Sequence, residues 1–189
     1  MVVRALLLAE NESGDIGVIA QHDHIIFMGL VDVLGHGREA NEIALIAKEY
    51  LDEHTRDEDI VAVMNGLHEH IRGTRGAVAG FCRVNLANGE LSYTGIGNIT
   101  VRILGTKSKR MLSRDGIVGY SMAKPQLTTY QLVPGDTIIM HSDGMKEHFD
   151  QHELGGLLLN RADRIADELV DRYGTKTDDV SCIVMKFGI

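Results

Sequence analysis

The sequence contains no apolar run of the roughly 20 residues that a bilayer-spanning helix needs. Its longest apolar runs, residues 16–20 and 25–33, are strand-sized. The start, MVVRALLLAENES, lacks the basic opening and small-residue cleavage site of a secretory signal, and it reads as a first strand. Basic clusters are scarce too: beyond the short segment 107–110 there is none, and 19 basic against 27 acidic residues leave a formal charge of -8. Nucleic acid and anionic membranes are therefore excluded as expected partners. Cysteine is limited to Cys82 and Cys182, each in an apolar, strand-like setting (FCRVN and SCIVM). Two distant cysteines supply neither a disulfide framework nor a zinc site, so free buried thiols and a cytoplasmic location are expected. With only two prolines, Pro125 and Pro134, and no linker, repeat or low-complexity stretch, residues 1–189 read as one domain without a separate sensory domain. A hydrophobic fraction of 44% suffices for a full core.

What is present alternates between the two periodicities of regular structure. Strands are expected over 2–8, 16–21 and 25–32. Ala40, Ile43, Ala44, Ala47 and Leu51 then share one helical face, as do Ile60, Val63, Met64, Leu67 and Ile71. Asp57 is the expected N-cap of the second helix. The stretch GAVAGFCRVNLANGELSYTGIGN reads as two strands joined across Asn88-Gly89. Segment 100–104 and the residues around Met111 continue the β region. Segments 128–132 and 137–141 are expected to pair through a turn at Pro134-Gly135. Helices over about 150–158 and around Ile165, Ala166, Leu169, Val170 and Tyr173 precede a last strand, 180–187. Hairpins with helices in two groups imply an α+β fold, antiparallel sheet covered by helices.

Four strand ends carry aspartate. Asp32 sits in FMGLVDVLGHG, where an apolar run delivers a carboxylate to a glycine-rich turn. Asp143 follows TIIMHS and precedes glycine; Asp178 and Asp179 stand before VSCIVMKF; Asp15 closes ESGD ahead of IGVIA. Any one of these is ordinary turn chemistry. Four together suggest convergence on one edge of a sandwich, where clustered carboxylates repel unless a cation holds them. An all-oxygen set suits Mg²⁺ or Mn²⁺, whereas zinc would bring His or Cys ligands. The neighbouring glycines let carbonyls and waters approach closely.

The order SGD (13–15), DVLGHG (32–37), SDG (142–144) and DDVS (178–181) resembles the metal-dependent PPM protein phosphatases, in particular their SpoIIE-like branch. RGAVAGFCRVN, SYTGIGN and GYSMAKPQ ahead of GDTIIMHSDG are similar to the short, stand-alone RsbX type within it. The resemblance implies a four-layer α-β-β-α sandwich of two antiparallel sheets flanked by helices, with two Mn²⁺ (or Mg²⁺) ions at one end. Asp32 would bridge both ions, the Val33 backbone carbonyl would complete one, Asp143 and Asp178 would hold the other, and Asp15 would act through metal-bound water. Asp178 rather than Asp179 matches the ligand position of the motif. Gly35, His36, Asn98, Gly144 and Asp179 are further candidates; His36 reads as a turn residue before it reads as an acid catalyst, and Asn98 as turn or site lining. A metal-activated water would hydrolyse phosphoserine or phosphothreonine in line. The implied substrate is a phosphorylated STAS-domain protein of a stressosome, resetting a sigma-factor stress pathway, and the chain is expected to be a monomer.

There are departures. Gly14 stands where the eukaryotic branch has an acidic residue, and no arginine near Asp15 stands out as a phosphate clamp, Arg4 lying too far back in the first strand. Phosphate recognition then falls to metals and backbone, and specificity to docking of a protein. One rival reading is a catalytically silent PPM-fold module that binds a STAS or anti-sigma partner; the presence of Asp32, Asp143 and Asp178 argues against it. A histidine-kinase-like ATPase is the other, but DVLGHG places an extra residue before the first glycine of a DxGxG box, and a Walker loop is missing.

Overall fold

The computed structural model describes the backbone of residues 2–6 and, in full, residues 12–146, 154–175 and 178–188. Among the described residues no helix is long and apolar enough to cross a membrane. Two five-stranded antiparallel sheets stack face to face. The first has the order β10-β5-β4-β3-β2, built from β2 (Asp15–His22), β3 (Ile25–Val33), β4 (Ala77–Asn85), β5 (Glu90–Ile96) and β10 (Thr128–Gln131). The second has the order β1-β12-β11-β6-β7, from β1 (Val2–Leu6), β6 (Thr100–Leu104), β7 (Lys109–Met111), β11 (Thr137–His141) and β12 (Val180–Lys186). A two-stranded ribbon, β8 (Gly116–Ile117) with β9 (Ser121–Met122), forms a separate small sheet that is bridged to the start of β4 at Ala77–Val118.

Side-chain alternation explains the layers. In β3, Ile26, Met28 and Leu30 face the second sheet, where they meet Val101, Ile103, Ile138, Met140 and Ile183. Phe27, Val31 and Val33 face the other way, onto α1 (Arg38–His54) and α2 (Ile60–His70). A strand buried on both faces has no polar side to show, which is why β3 reads as a continuous apolar run. The second sheet repeats the scheme: Ile139, Cys182 and Val184 turn outward onto α3 (Ala162–Tyr173), with Ile165, Ala166 and Leu169 against them. The result is the α-β-β-α sandwich, and the helix faces predicted from 3.6-residue spacing are the buried ones. Both cysteines are buried and free.

Three expectations need correction. Segments 128–131 and 137–141 do not pair: β10 lies on β5 at the edge of the first sheet, and β11 lies between β12 and β6 in the second. Burial decides this, since TIIMH is buried at every position and needs a central slot, whereas TTYQ alternates toward solvent and suits an edge. Asp59, and not Asp57, caps α2; its Oδ1 accepts from the amides of Val61 (2.9 Å) and Ala62 (3.0 Å). Of the helix expected over about 150–158, residues 150–153 lie outside the described part, Leu154 is helical, and the end at Leu157–Leu159 is a 3₁₀ turn rather than α-helix. Residues 7–8 of the expected first strand also lie outside it.

The cap assignment is testable. Asp59→Ala should lower stability in urea unfolding by about 1 kcal/mol, the usual cost of a lost N-cap. Asp57→Ala should stay within about 0.5 kcal/mol of the parent, as exposed substitutions do.

Candidate functional site

The same alternation that builds the core places the carboxylates. Asp32 follows Met28 and Leu30 on the inter-sheet face of β3, so it lies where the apolar filling ends. Asp15, the first residue of β2, is its direct cross-strand partner. From the second sheet, Ser142 and Ser181 arrive at the same end, on the face of β11 and β12 that carries Met140 and Ile183. Asp15 is buried, and its Oδ2 accepts a 2.7 Å hydrogen bond from Ser142 Oγ. That oxygen in turn accepts from the Ser181 amide and hydroxyl, both at 3.1 Å. A chain of short polar side chains thus ties the two sheets together across the end of their core.

Asp178 and Asp179 separate into two roles. The Asp179 carboxylate is buried and accepts from the Gly14 amide at 2.7 Å, which joins the start of β12 to the start of β2. Asp178 is exposed and lines a half-open cleft of about 250 Å³ together with Asp32, Asp143 and Asn98. Asn98 Nδ2 donates to Asp143 Oδ2 at 2.8 Å, orienting that carboxylate. Leu34, Gly35, His36 and Val78 form the remaining walls. Gly35 has φ 93°, a left-handed conformation that glycine adopts without strain, and it swings the exposed His36 to the cleft edge. Gly144 is needed for close approach: a Cβ there would lie 2.0 Å from the Asp179 carbonyl oxygen. The Val33 carbonyl lies against Gly14, 3.1 Å from where a Cβ would stand, and the Val33 amide donates to the Gly14 carbonyl at 3.1 Å. His141 is a buried strand residue whose Nδ1 meets the Ser142 carbonyl at 2.8 Å. His68 Nδ1 accepts from the Gly119 amide at 3.0 Å.

The structure therefore brings Asp32, Asp143, Asp178, Gly35, His36 and Asn98 to one cleft, sets Asp15 and Asp179 behind it, and packs Gly144 against Asp179. Sequence reasoning missed Ser142 and Ser181, although both lie inside the quoted SDG and DDVS segments. Their signal was a small hydroxyl residue one or two positions from a carboxylate on an otherwise apolar strand.

The electrostatics are dominated by burial. Desolvation pushes the Asp32 carboxyl up to about 9, and the charges of Asp15 and Asp143, a hydrogen bond with Asp143, and Asp178 add to it. Desolvation also raises Asp15, to about 6, against the pull of its serine hydrogen bonds. Such a group is stable as an anion only beside a cation. The donors are all oxygen, which fits a hard divalent ion. Among the described residues no three acids or imidazoles close tightly enough to enclose an ion by themselves.

The sign of the pH dependence follows. Between the ordinary 3.8 and about 9, the folded Asp32 keeps a proton that the unfolded chain has released, so metal-free stability falls as pH rises through that window. Asp32→Asn should raise the Tm of the EDTA-treated protein at pH 8 by roughly 2–5 °C. With Mn²⁺ the order should reverse, because only the parent gains stability from the ion. Thermal unfolding of both proteins in EDTA and in Mn²⁺ checks this.

Comparison with known proteins supports the same fold. The phosphoserine phosphatase RsbX of Bacillus subtilis (strain 168) is 27% identical over 137 residues, covering 70% of this chain and 67% of RsbX. A solved structure from work on the bacterial stressosome as a modular system adapted to control secondary messenger signalling superposes with a TM-score of 0.87 at 29% identity, covering 96% of both chains. RsbX in complex with magnesium superposes with a TM-score of 0.83 at 21% identity, over 96% of this chain and 92% of that one. Residues 22–188 match the family model described as Stage II sporulation protein E (SpoIIE), and the chain belongs to that family.

Proposed function

We propose that the chain is a metal-dependent protein phosphatase acting on phosphoserine or phosphothreonine. The observation that carries this reading is the meeting of Asp32, Asp143 and Asp178 from two different sheets on one open cleft, with Asp32 pushed far from its ordinary ionisation. Asp32, Asp143 and Asp178 would hold the metal, two Mn²⁺ or Mg²⁺ ions, together with the Val33 carbonyl, and Asp15 would act behind them. Bound metal supplies Lewis acidity: a more acidic water and neutralised phosphoryl charge. The chain's own part is positional. Asn98 holds Asp143 in place, while the Ser142–Ser181 pair fixes Asp15 and with it the facing strand end. The Asp179–Gly14 bond keeps the neighbouring Asp178 at the cleft.

A half-open cleft suits a phosphorylated residue on a protein surface better than an enclosed small molecule. The name of the phosphoserine phosphatase RsbX supports the reaction class, and the structural likeness to a stressosome protein supports a stressosome partner, for which a phosphorylated STAS-domain protein is our proposed substrate. Resetting of a sigma-factor stress signal is the role we propose for that reaction.

Hydrolysis of p-nitrophenyl phosphate by the purified chain should require Mn²⁺ or Mg²⁺ and stop in EDTA. Asp32→Ala should reduce it by roughly 100-fold or more, beyond the loss typical of an outer-shell residue. Dephosphorylation of a phosphorylated STAS protein should follow the same metal dependence. Metal binding by calorimetry without any turnover of either substrate would instead favour the silent binding module.

A further inference from the structure

The cleft is strongly acidic, yet a phosphoryl group entering it carries two negative charges of its own. We infer that Arg75, the first residue of the RGAVAGFCRVN segment, is the residue whose guanidinium meets that group at the rim. This rests on the phosphatase reading and deepens it.

Arg75 lies in the loop between α2 and β4, and that loop is fixed from both sides. The Leu34 amide donates to the Gly76 carbonyl at 3.0 Å, which joins it to the cleft wall. The Gly73 amide reaches the Gly119 carbonyl at 3.3 Å, and the Ala77 amide the Val118 carbonyl at 2.9 Å, which join it to the β8–β9 ribbon. Thr74 closes the turn internally, its Oγ1 donating to the Ile71 carbonyl (2.7 Å) and accepting from the Gly76 amide (3.1 Å). Gly76 is packed so closely that a Cβ would lie 2.7 Å from the Val118 carbonyl oxygen. A flexible side chain therefore springs from a rigid base.

The guanidinium lies over Gly35, one of the cleft residues; a Cβ on Gly35 would come within 2.6 Å of Arg75 Nη1. Its Nη2 donates to Glu39 in the first turn of α1. The two side chains remain 48% and 73% exposed. An ion pair this exposed contributes little and is readily given up. Arginine carries five N–H donors in a planar fork, which matches phosphate oxygens in a bidentate manner and more strongly than a solvated carboxylate. Glu39 thus acts as a parking partner: it holds the guanidinium beside the cleft until a phosphoryl group takes its place.

The test uses the full chain with Mn²⁺. KM and kcat for p-nitrophenyl phosphate, and competitive inhibition by inorganic phosphate, are measured for the parent, Arg75→Ala, Arg75→Lys and Glu39→Gln. Arg75→Ala should raise both KM and the phosphate inhibition constant roughly ten-fold, the scale of one charge-assisted hydrogen bond, with kcat changed less. Arg75→Lys should recover part of the loss, and Glu39→Gln should leave both constants unchanged or lower them. If Arg75→Ala and Glu39→Gln raise KM alike, the pair is only a brace and the inference falls. It falls equally if Arg75→Ala leaves KM and phosphate inhibition as they were. Should Arg75→Ala fail to fold, Arg75→Lys and Glu39→Gln still decide, since a brace predicts the same direction for both. Absence of metal-dependent hydrolysis by the parent would overturn the phosphatase reading itself, a result distinct from an active parent with an unaffected Arg75 variant.

Discussion

Everything at the functional end of this molecule depends on one constraint: carboxylates from two separate sheets must share the place where the inter-sheet core stops. Asp32 is on the same face as Met28 and Leu30, and Asp15 is its direct partner across the β2–β3 ladder. Neither can turn away without slipping a strand register, and a one-residue slip would send every side chain of that strand to the opposite face of the sheet. The apolar interior therefore holds like charges together that would otherwise separate. The cost of that arrangement is visible in the raised ionisation of both groups, and under the proposed function a divalent cation would offset it.

The polar network around the carboxylates is graded by depth. Asp15 and Asp179 are buried and their hydrogen bonds go to Ser142 and to the Gly14 amide, so they brace the two sheets. Asp143 and Asp178 are exposed at the cleft and are oriented by lighter means, Asn98 in the case of Asp143. Buried polar groups that are fully partnered give rigidity, while the exposed pair keeps room to adapt to an ion and a substrate. Gly144 belongs to the rigid part, because only the absence of a side chain lets the SDG turn touch the backbone of Asp179.

The cleft also shows how recognition can be divided. Its acidic interior is suited to metal and not to phosphate, and the placement of Arg75 beside Gly35 supplies a positive group at the boundary between the two. The arginine comes from a loop distant in the chain from any of the aspartate motifs. Two backbone connections, to Leu34 and to the β8–β9 ribbon, bring it there.

Much of this was legible in the residues. The four aspartates, their flanking glycines, the amphipathic faces of α1, α2 and α3 and the inter-strand turn at Asn88-Gly89 all rest on local spacing, and local spacing is written in the chain. What the sequence alone could not determine was which strands become neighbours. β10 and β11 read as a hairpin, yet they belong to different sheets, because burial of TIIMH on both faces outweighs the proximity of a turn. The same limit applied to the site. Ser142, Ser181, the division of labour between Asp178 and Asp179, and the reach of Arg75 are contacts between segments far apart in the chain. Residue identities determined what chemistry was available; the packing of two sheets decided which residues would meet, because only a closed core fixes the register and the facing of strand ends.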